Sequence, residues 1–164
     1  MAVTRAVLPG MRAAKAGLII TISSASGLVS NAGGTVYSAS KFAVEGWIEG
    51  LAEEVAPFGI RSLVVDPGMM RTDFLDPRSA RHGDIAVADY AEAAAGFKAY
   101  IVGANHEQVN DPAVLAAHIV TLAGGSTVPA RYIFGQDAQE WISHKLVRLQ
   151  GEIEQSAAIA ASAD

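Results

Sequence analysis

Hydrophobic residues switch between helical and strand-like spacing along the first 70 positions of the chain. Residues 1–16 have apolar side chains at helical spacing, and the short β-branched run at 18–22 is typical of a buried strand. The spacing becomes helical again over 37–57, and residues 61–65 predict a second buried strand. Strand, helix and strand with short connections form a β-α-β unit, so we expect the two strands to be parallel neighbours.

The pattern after residue 72 is weaker and predicts, in chain order, helices at 84–103 and 112–123, a short strand at 132–134 and a charged helix at 137–155. The alanine-rich segment 156–164 is expected to be a flexible tail. The sequence shows no internal repeat and no linker. It therefore predicts one α/β domain over residues 1–155, followed by the tail.

Composition narrows the class of protein. The chain has 164 residues, of which 51% are hydrophobic and 18% charged, with no cysteine and a formal net charge of −5. This apolar fraction argues against disorder, and the acidic balance argues against nucleic acid as a partner. The apolar runs are too short to cross a bilayer, so we expect a cytoplasmic chain with no membrane partner. The four histidines are scattered, and no metal site is predicted.

Tyr37 and Lys41 are the first candidate chemical pair. Four residues apart on a helix, they project from the same face. A phenol is a poor proton donor or acceptor at neutral pH, but a nearby ammonium stabilises the phenolate. Such a pair can serve as a general acid and base.

The position of this pair in the predicted fold also favours a role in a binding site. A glycine-rich loop at 25–36 connects the first strand to the helix that carries it, and that strand ends in the hydroxyl residues of 21–24. The second strand ends in 66–72, DPGMMRT. Since ligands bind outside the carboxyl ends of parallel strands, the sequence predicts a site at this rim of the sheet.

Three motifs at this rim together resemble the short-chain dehydrogenase/reductase family. They are ISSASG, then YSASK with Tyr37 thirteen residues after Ser24, then DPGMMRT. The resemblance implies a Rossmann-type parallel sheet with flanking helices. It also implies an NAD(P)-dependent oxidoreductase that interconverts an alcohol and a carbonyl in a small-molecule substrate, with NAD or NADP as cofactor.

The resemblance also implies a role for each matching residue. Ser24 would hydrogen-bond the substrate oxygen, Tyr37 would transfer the proton, and Lys41 would bind the nicotinamide ribose and favour the phenolate. Tyr37 and Lys41 thus belong to both the catalytic and the cofactor-binding sets. The remaining expected cofactor contacts come from the loop after the second strand: Pro67, Gly68, the backbone of Met70 and the hydroxyl of Thr72.

The family pattern is matched only in part. Full-length members have a glycine-rich turn that binds the pyrophosphate and a catalytic asparagine, and this sequence has neither. We therefore expect a fragment that corresponds to the C-terminal, catalytic half and lacks the N-terminal strands of the full fold. Its first strand would then have an unpaired edge. We also expect a homo-oligomer formed through the helices at 1–16 and 37–57.

Other interpretations remain open at this point. The serines near the first strand could have no role beyond hydrogen bonding to backbone groups. Ser38–Lys41 also matches the S-x-x-K motif of penicillin-binding proteins, although the S-D-N and K-T-G motifs that accompany it there are missing. Epimerases of the extended branch share the tyrosine–lysine pair. A non-catalytic remnant acting as a dimerisation partner is the main alternative function. In the segment after residue 72, we expect core positions rather than pocket positions for Phe74, Leu75, Tyr90 and Phe97.

Overall fold

A computed structural model describes residues 1–80 and 87–162 of the chain. In these residues, three strands form one sheet and helices pack around it. The helices are α1 (Ala2–Ala14), α2 (Thr35–Val55), α3 (Ala91–Ala104), α4 (Pro112–Gly124) and α5 (Gln136–Ala161). The strands are β1 (Gly17–Ile22), β2 (Ile60–Pro67) and β3 (Arg131–Phe134). No helix formed by these residues is long and apolar enough to cross a membrane.

The sheet has the order β1-β2-β3, and both pairs of neighbours are parallel. Gly17 is opposite Ile60 at the start of the first pair, and Pro67 is opposite Phe134 at the end of the second. The predicted β-α-β unit and its parallel strands are confirmed. All three strands therefore direct their carboxyl ends to one rim, where the sequence predicts the site.

The central strand β2 is buried on both faces because its side chains alternate between two hydrophobic clusters. Ile60 and Val64 pack with Ile48 and other residues of α2 on one face. Leu63 and Val65, both 0% exposed, pack with α4 on the opposite face. This two-sided burial anchors the strand from which the loop 67–72 leaves.

Two predicted boundaries differ from the structure. The helix expected at 84–103 begins at Ala91, after a 3-10 turn at 88–90, and residues 84–86 lie outside the described residues. The last helix does not stop at residue 155 but continues to Ala161. Alanine has the highest intrinsic helix propensity, so the alanine-rich segment extends the helix although its side chains are exposed. The segment 156–161 is therefore helical rather than loose.

The first strand lies at one edge of the sheet, and among the described residues it pairs only with β2. A groove of about 400 Å³ follows this edge, lined mainly by apolar side chains of α1 and β1 together with Trp47. Ile22 at the end of the strand is 49% exposed. An apolar strand edge of this kind is a template for pairing with another chain.

Four charged side chains connect α2 to the sheet. Arg131 of β3 donates to Glu45 at 2.6 Å and to Glu49 at 3.0 Å, and it also donates to Asp66. Glu45 is 4% exposed and Asp66 0% exposed, so these two carboxyls lie largely out of water, whereas Glu49 is exposed. Breaking such a buried ion pair would leave an uncompensated charge, which makes the cluster a strong constraint on where α2 can lie.

The cluster holds more negative than positive groups, and this affects its protonation. Burial out of water, together with the neighbouring Glu45 carboxyl, raises the pKa of Asp66 to about 7, although Arg131 acts in the opposite direction. One oxygen of Asp66 and one of Glu45 have no hydrogen-bond partner among the described residues. A proton on one of these carboxyls would let one of those oxygens donate a hydrogen bond and the other accept it.

Replacing Asp66 by Asn should change how stability depends on pH. The pKa of Asp66 in the folded chain, about 7, lies above its ordinary value of 3.8. Between these values the folded chain binds more protons than the unfolded chain, so the contribution of Asp66 to stability falls as pH rises. The fall is at most about 4 kcal/mol, and Asp66→Asn should remove it. Urea unfolding at a series of pH values from about 4 to about 8 measures the difference.

The matched control is Glu53→Gln, which neutralises an exposed carboxyl on the same helix α2. This variant should keep the pH dependence of the original chain. If the free energy of unfolding depended on pH equally in Asp66→Asn and in the original chain, the conclusion that Asp66 binds a proton on folding would be wrong.

Candidate active site

Tyr37 and Lys41 lie in the first two turns of α2, which begins at Thr35. The loop before the helix turns sharply at Gly33, whose φ of +82° is a conformation that glycine adopts without strain. The helix therefore begins at the rim formed by the carboxyl ends of the strands. Both side chains are half-buried, so part of each remains accessible from solvent.

The Lys41 ammonium connects the helix to the end of β1. Its Nζ donates to the backbone oxygen of Ile22 at 3.2 Å and lies 5.8 Å from the centre of the Tyr37 ring. Burial lowers the pKa of Lys41, whereas the negative charges of Glu45 and Asp66 act to raise it. A lysine ammonium has three donors, so one hydrogen bond to Ile22 leaves two for other partners.

Ser24 follows β1 and begins a 3-10 turn at Ala25–Gly27. Its hydroxyl oxygen accepts a hydrogen bond from the Ser26 amide at 3.1 Å. Backbone satisfaction, the alternative role considered for this residue, is therefore present. It does not exclude a second role, because a hydroxyl that accepts through a lone pair still has its proton to donate. Among the described residues, Ser24 makes no side-chain hydrogen bond to Tyr37 or Lys41.

The loop after β2 contains the other candidate residues. Pro67 is the last residue of β2 and is buried, and the Gly68 amide donates to the backbone oxygen of Phe134 at 2.9 Å. Met70 forms an isolated parallel bridge with Asn110. Thr72 accepts from the Phe74 amide through its hydroxyl oxygen at 3.3 Å, which leaves its proton free as in Ser24.

The 3-10 turn Asp73–Leu75, which directly follows this loop, contacts Tyr37 through an aromatic ring. The rings of Tyr37 and Phe74 lie 5.3 Å apart and are tilted by 54°. Phe74 is 56% exposed, so the expectation of a core position for this residue was wrong, as it was for Tyr90, which is 69% exposed. Leu75 is 7% exposed and does lie in the interior. Consecutive residues of a 3-10 turn point in different directions, so Phe74 can lie at the surface beside Tyr37 while Leu75 faces inward.

Three candidate elements thus meet at one rim: the end of β1 with Ser24, the start of α2, and the loop 67–72. Lys41 connects the end of β1 to α2. The Tyr37–Phe74 ring pair connects α2 to the 3-10 turn that directly follows the loop 67–72. The sequence did not indicate Asn110 and Asp137, whose side chains hydrogen-bond the Met69 backbone and hold the loop after β2. They lie 41 and 68 residues from Met69, and local spacing carries no signal for contacts at such separations.

Comparison with known proteins indicates the family of the chain. The profile of the family described as short chain dehydrogenase matches residues 1–83, which is half of the chain. The oxidoreductase BOA17 of Botryotinia fuckeliana is 32% identical over 139 residues, covering 85% of this chain and 50% of the relative. The chain therefore spans about half the length of this curated relative.

Solved structures share the fold. A short-chain dehydrogenase from Streptomyces avermitilis superimposes with a TM-score of 0.81 at 37% identity, covering 98% of this chain and 58% of that one. A serine dehydrogenase complexed with NADP+ has the same fold with a TM-score of 0.58, covering 80% of this chain and 48% of that one. At 22% identity it supports the fold alone. The chain belongs to the short-chain dehydrogenase family.

Proposed function

We propose that the chain provides the catalytic site of an NAD(P)-dependent oxidoreductase that interconverts an alcohol and a carbonyl. The observation that carries this proposal is the position of the Lys41 ammonium, 5.8 Å from the centre of the Tyr37 ring at the carboxyl ends of the strands. It places a cation near a proton-transfer group in the part of a parallel sheet where ligands bind. Family membership supports the reaction class.

In this proposal, Tyr37 gives its proton to the substrate oxygen during carbonyl reduction and takes it back during alcohol oxidation. The Lys41 ammonium stabilises the phenolate that remains when the proton has left. Since Ile22 holds one of its three donors, Lys41 stays near the ring with donors still available for a ribose hydroxyl. Burial lowers the pKa of Lys41, and the nearby Glu45 and Asp66 carboxyls offset part of that effect in favour of the charged form.

Ser24 is proposed to orient the substrate. Its oxygen is engaged by the Ser26 amide, which fixes the hydroxyl at the start of the 3-10 turn. The proton that remains can be donated to the substrate oxygen. Two donors, Ser24 and Tyr37, would then polarise the same carbonyl bond and stabilise the negative charge that develops on it.

The described residues fit the nicotinamide end of the cofactor. Lys41 would hold the ribose, while Pro67, Gly68, the Met70 backbone and the Thr72 hydroxyl would line the ring. The hydroxyl proton of Thr72 is not used by its cap to Phe74, so this residue can donate to a carboxamide oxygen. The cofactor, NAD or NADP, would supply or accept the hydride. The sequence contains no glycine-rich pyrophosphate turn, which limits the fit to this end.

A non-catalytic chain that pairs with a relative remains the second candidate function. The observation that favours it is the apolar groove along the edge of β1, together with exposed apolar residues on α1 such as Val3, which is 77% exposed. We propose homo-oligomer formation through α1 and α2 under either candidate function, catalytic or non-catalytic. On α2, Ala43, Gly46 and Gly50 are exposed, so another helix could approach closely.

Lys41→Ala should weaken binding of nicotinamide nucleotides. Fluorescence titration of the purified chain with NADH, NADPH and reduced nicotinamide mononucleotide should give saturable binding, weakened roughly tenfold or more by this variant. Lys98→Ala, which removes an exposed lysine on α3, is the control and should bind as the original chain does. Absence of saturable binding by a folded chain would favour the non-catalytic alternative.

Tyr37→Phe should separate binding from chemistry. Removal of the hydroxyl takes away the transferred proton, so oxidation of alcohols from a test panel should fall about 10²- to 10⁴-fold while nucleotide binding changes little. The control Tyr90→Phe alters a tyrosine that is 69% exposed and should retain full turnover. Undiminished turnover by Tyr37→Phe would refute the assigned role.

Self-association should depend on the apolar edge and helices. Sedimentation velocity at micromolar concentrations should show dimers or larger species, because the edge of β1 can pair with another chain. Val3→Glu, which places a charge on the exposed face of α1 beside the groove, should shift the distribution toward monomer. Glu92→Gln, which neutralises an exposed carboxyl on α3, should leave the distribution unchanged, and a monomeric original chain would contradict the proposal.

A further inference from the structure

The Asp137 carboxylate lies against the loop that follows β2. One of its oxygens accepts from the Met69 amide at 2.7 Å, and the other accepts from the Asn110 side-chain amide at 2.9 Å. Asp137 is the second residue of α5, where the helix dipole favours a negative charge. A carboxylate with two amide donors at a helix N-terminus is held firmly in one orientation.

Asn110 secures the same stretch of loop from another direction. Both its side-chain Nδ2, at 3.0 Å, and its backbone amide, at 3.2 Å, donate to the Met69 backbone oxygen. Its own backbone oxygen accepts from the Arg71 amide at 2.9 Å. The peptide groups on both sides of Met70 are therefore bound to residues from distant parts of the chain.

Two glycines leave the space that the carboxylate occupies. A Cβ atom added at Gly68 would collide with the Asp137 carboxyl group, and one added at Gly135 would collide with both Asp137 and Asn110. Gly135 also has a φ of +100°, which favours glycine there. The local chain path is thus matched to Asp137 by shape as well as by hydrogen bonds.

We propose that Asp137 and Asn110 are positioning residues for the cofactor. They hold the loop 67–72 so that the Met70 backbone and the Thr72 hydroxyl face the nicotinamide ring, and they act through the loop without touching the cofactor. This inference rests on the proposed function. The hydrogen bonds that Asp137 and Asn110 make to the Met69 backbone carry it, because Met69 directly precedes Met70.

Asp137→Asn tests the proposal with little change in size. An amide at this position cannot accept from both donors, so one of the two hydrogen bonds must be lost. In the cofactor-free 164-residue chain, hydrogen exchange at the Met69 and Arg71 amides should accelerate at least about tenfold. Binding of reduced nicotinamide mononucleotide, measured by fluorescence at a temperature where the chain is fully folded, should weaken roughly tenfold.

Glu140→Gln is the matched control, since Glu140 lies one turn further along α5 and bonds only to Gln136 among the described residues. It should change neither exchange nor binding. Asn110→Ser removes the side-chain hydrogen bond from Asn110 to the Met69 backbone oxygen. It provides a second test of the proposal if Asp137→Asn does not fold. The two substitutions combined should cost no more binding than the worse one alone, because they disrupt one unit. Independent, additive losses would indicate general destabilisation and overturn the proposal.

The two measurements also separate this proposal from the proposed function. Unchanged exchange at Met69 and Arg71 in Asp137→Asn would overturn the positioning role, whatever the chain binds. Faster exchange with unchanged nucleotide binding would also overturn it, because the loop conformation would then not matter to the site. If the original chain binds no nucleotide at all, the proposed function fails and the cofactor-positioning role fails with it. The exchange data would then still report whether Asp137 orders the loop.

Discussion

The bond network of Arg131 is the constraint on which the site depends. Its guanidinium holds Glu45 and Glu49 of α2 and Asp66 of β2 at once. Glu45 lies one helical turn after Lys41, and Asp66 directly precedes the loop that begins at Pro67. A single cation therefore joins the helix that carries the tyrosine–lysine pair to the strand that carries the loop. Sliding α2 by even one residue would separate buried charges, which is costly in a medium that solvates them poorly.

This arrangement also restricts how α2 can rotate on the sheet. The apolar contacts of α2 with β2, through Ile48 and its neighbours, are not directional and would tolerate small rotations of the helix. Hydrogen bonds to a planar guanidinium are directional and do not. Hydrophobic burial thus brings the helix to the sheet, and the charged cluster sets the angle at which Tyr37 projects.

The elements were largely predictable from the sequence, whereas their supports were not. Periodicity and β-branched runs located the strands and most helices, because burial of one face or of both faces imposes those patterns. The tyrosine–lysine spacing and the loop after β2 identified the candidate rim through local order along the chain. Arg131, Asn110 and Asp137 gave no such signal, because their partners lie far away in sequence and an isolated polar residue near a helix start has many possible uses. Phe74 was misjudged because aromatic side chains in a weakly periodic segment do not reveal which way they point.

The hydrogen bond between Met69 and Asp137 joins residues 68 positions apart. Contacts between distant parts of a chain close late in folding, since a long loop must lose its freedom before they form. During synthesis, the β-α-β unit can form while α5 is still being made, but the loop after β2 gains its final partner only when the start of α5 has emerged and docked. The two parts are therefore completed at different times: the β-α-β unit assembles first, and the loop after β2 reaches its final shape last.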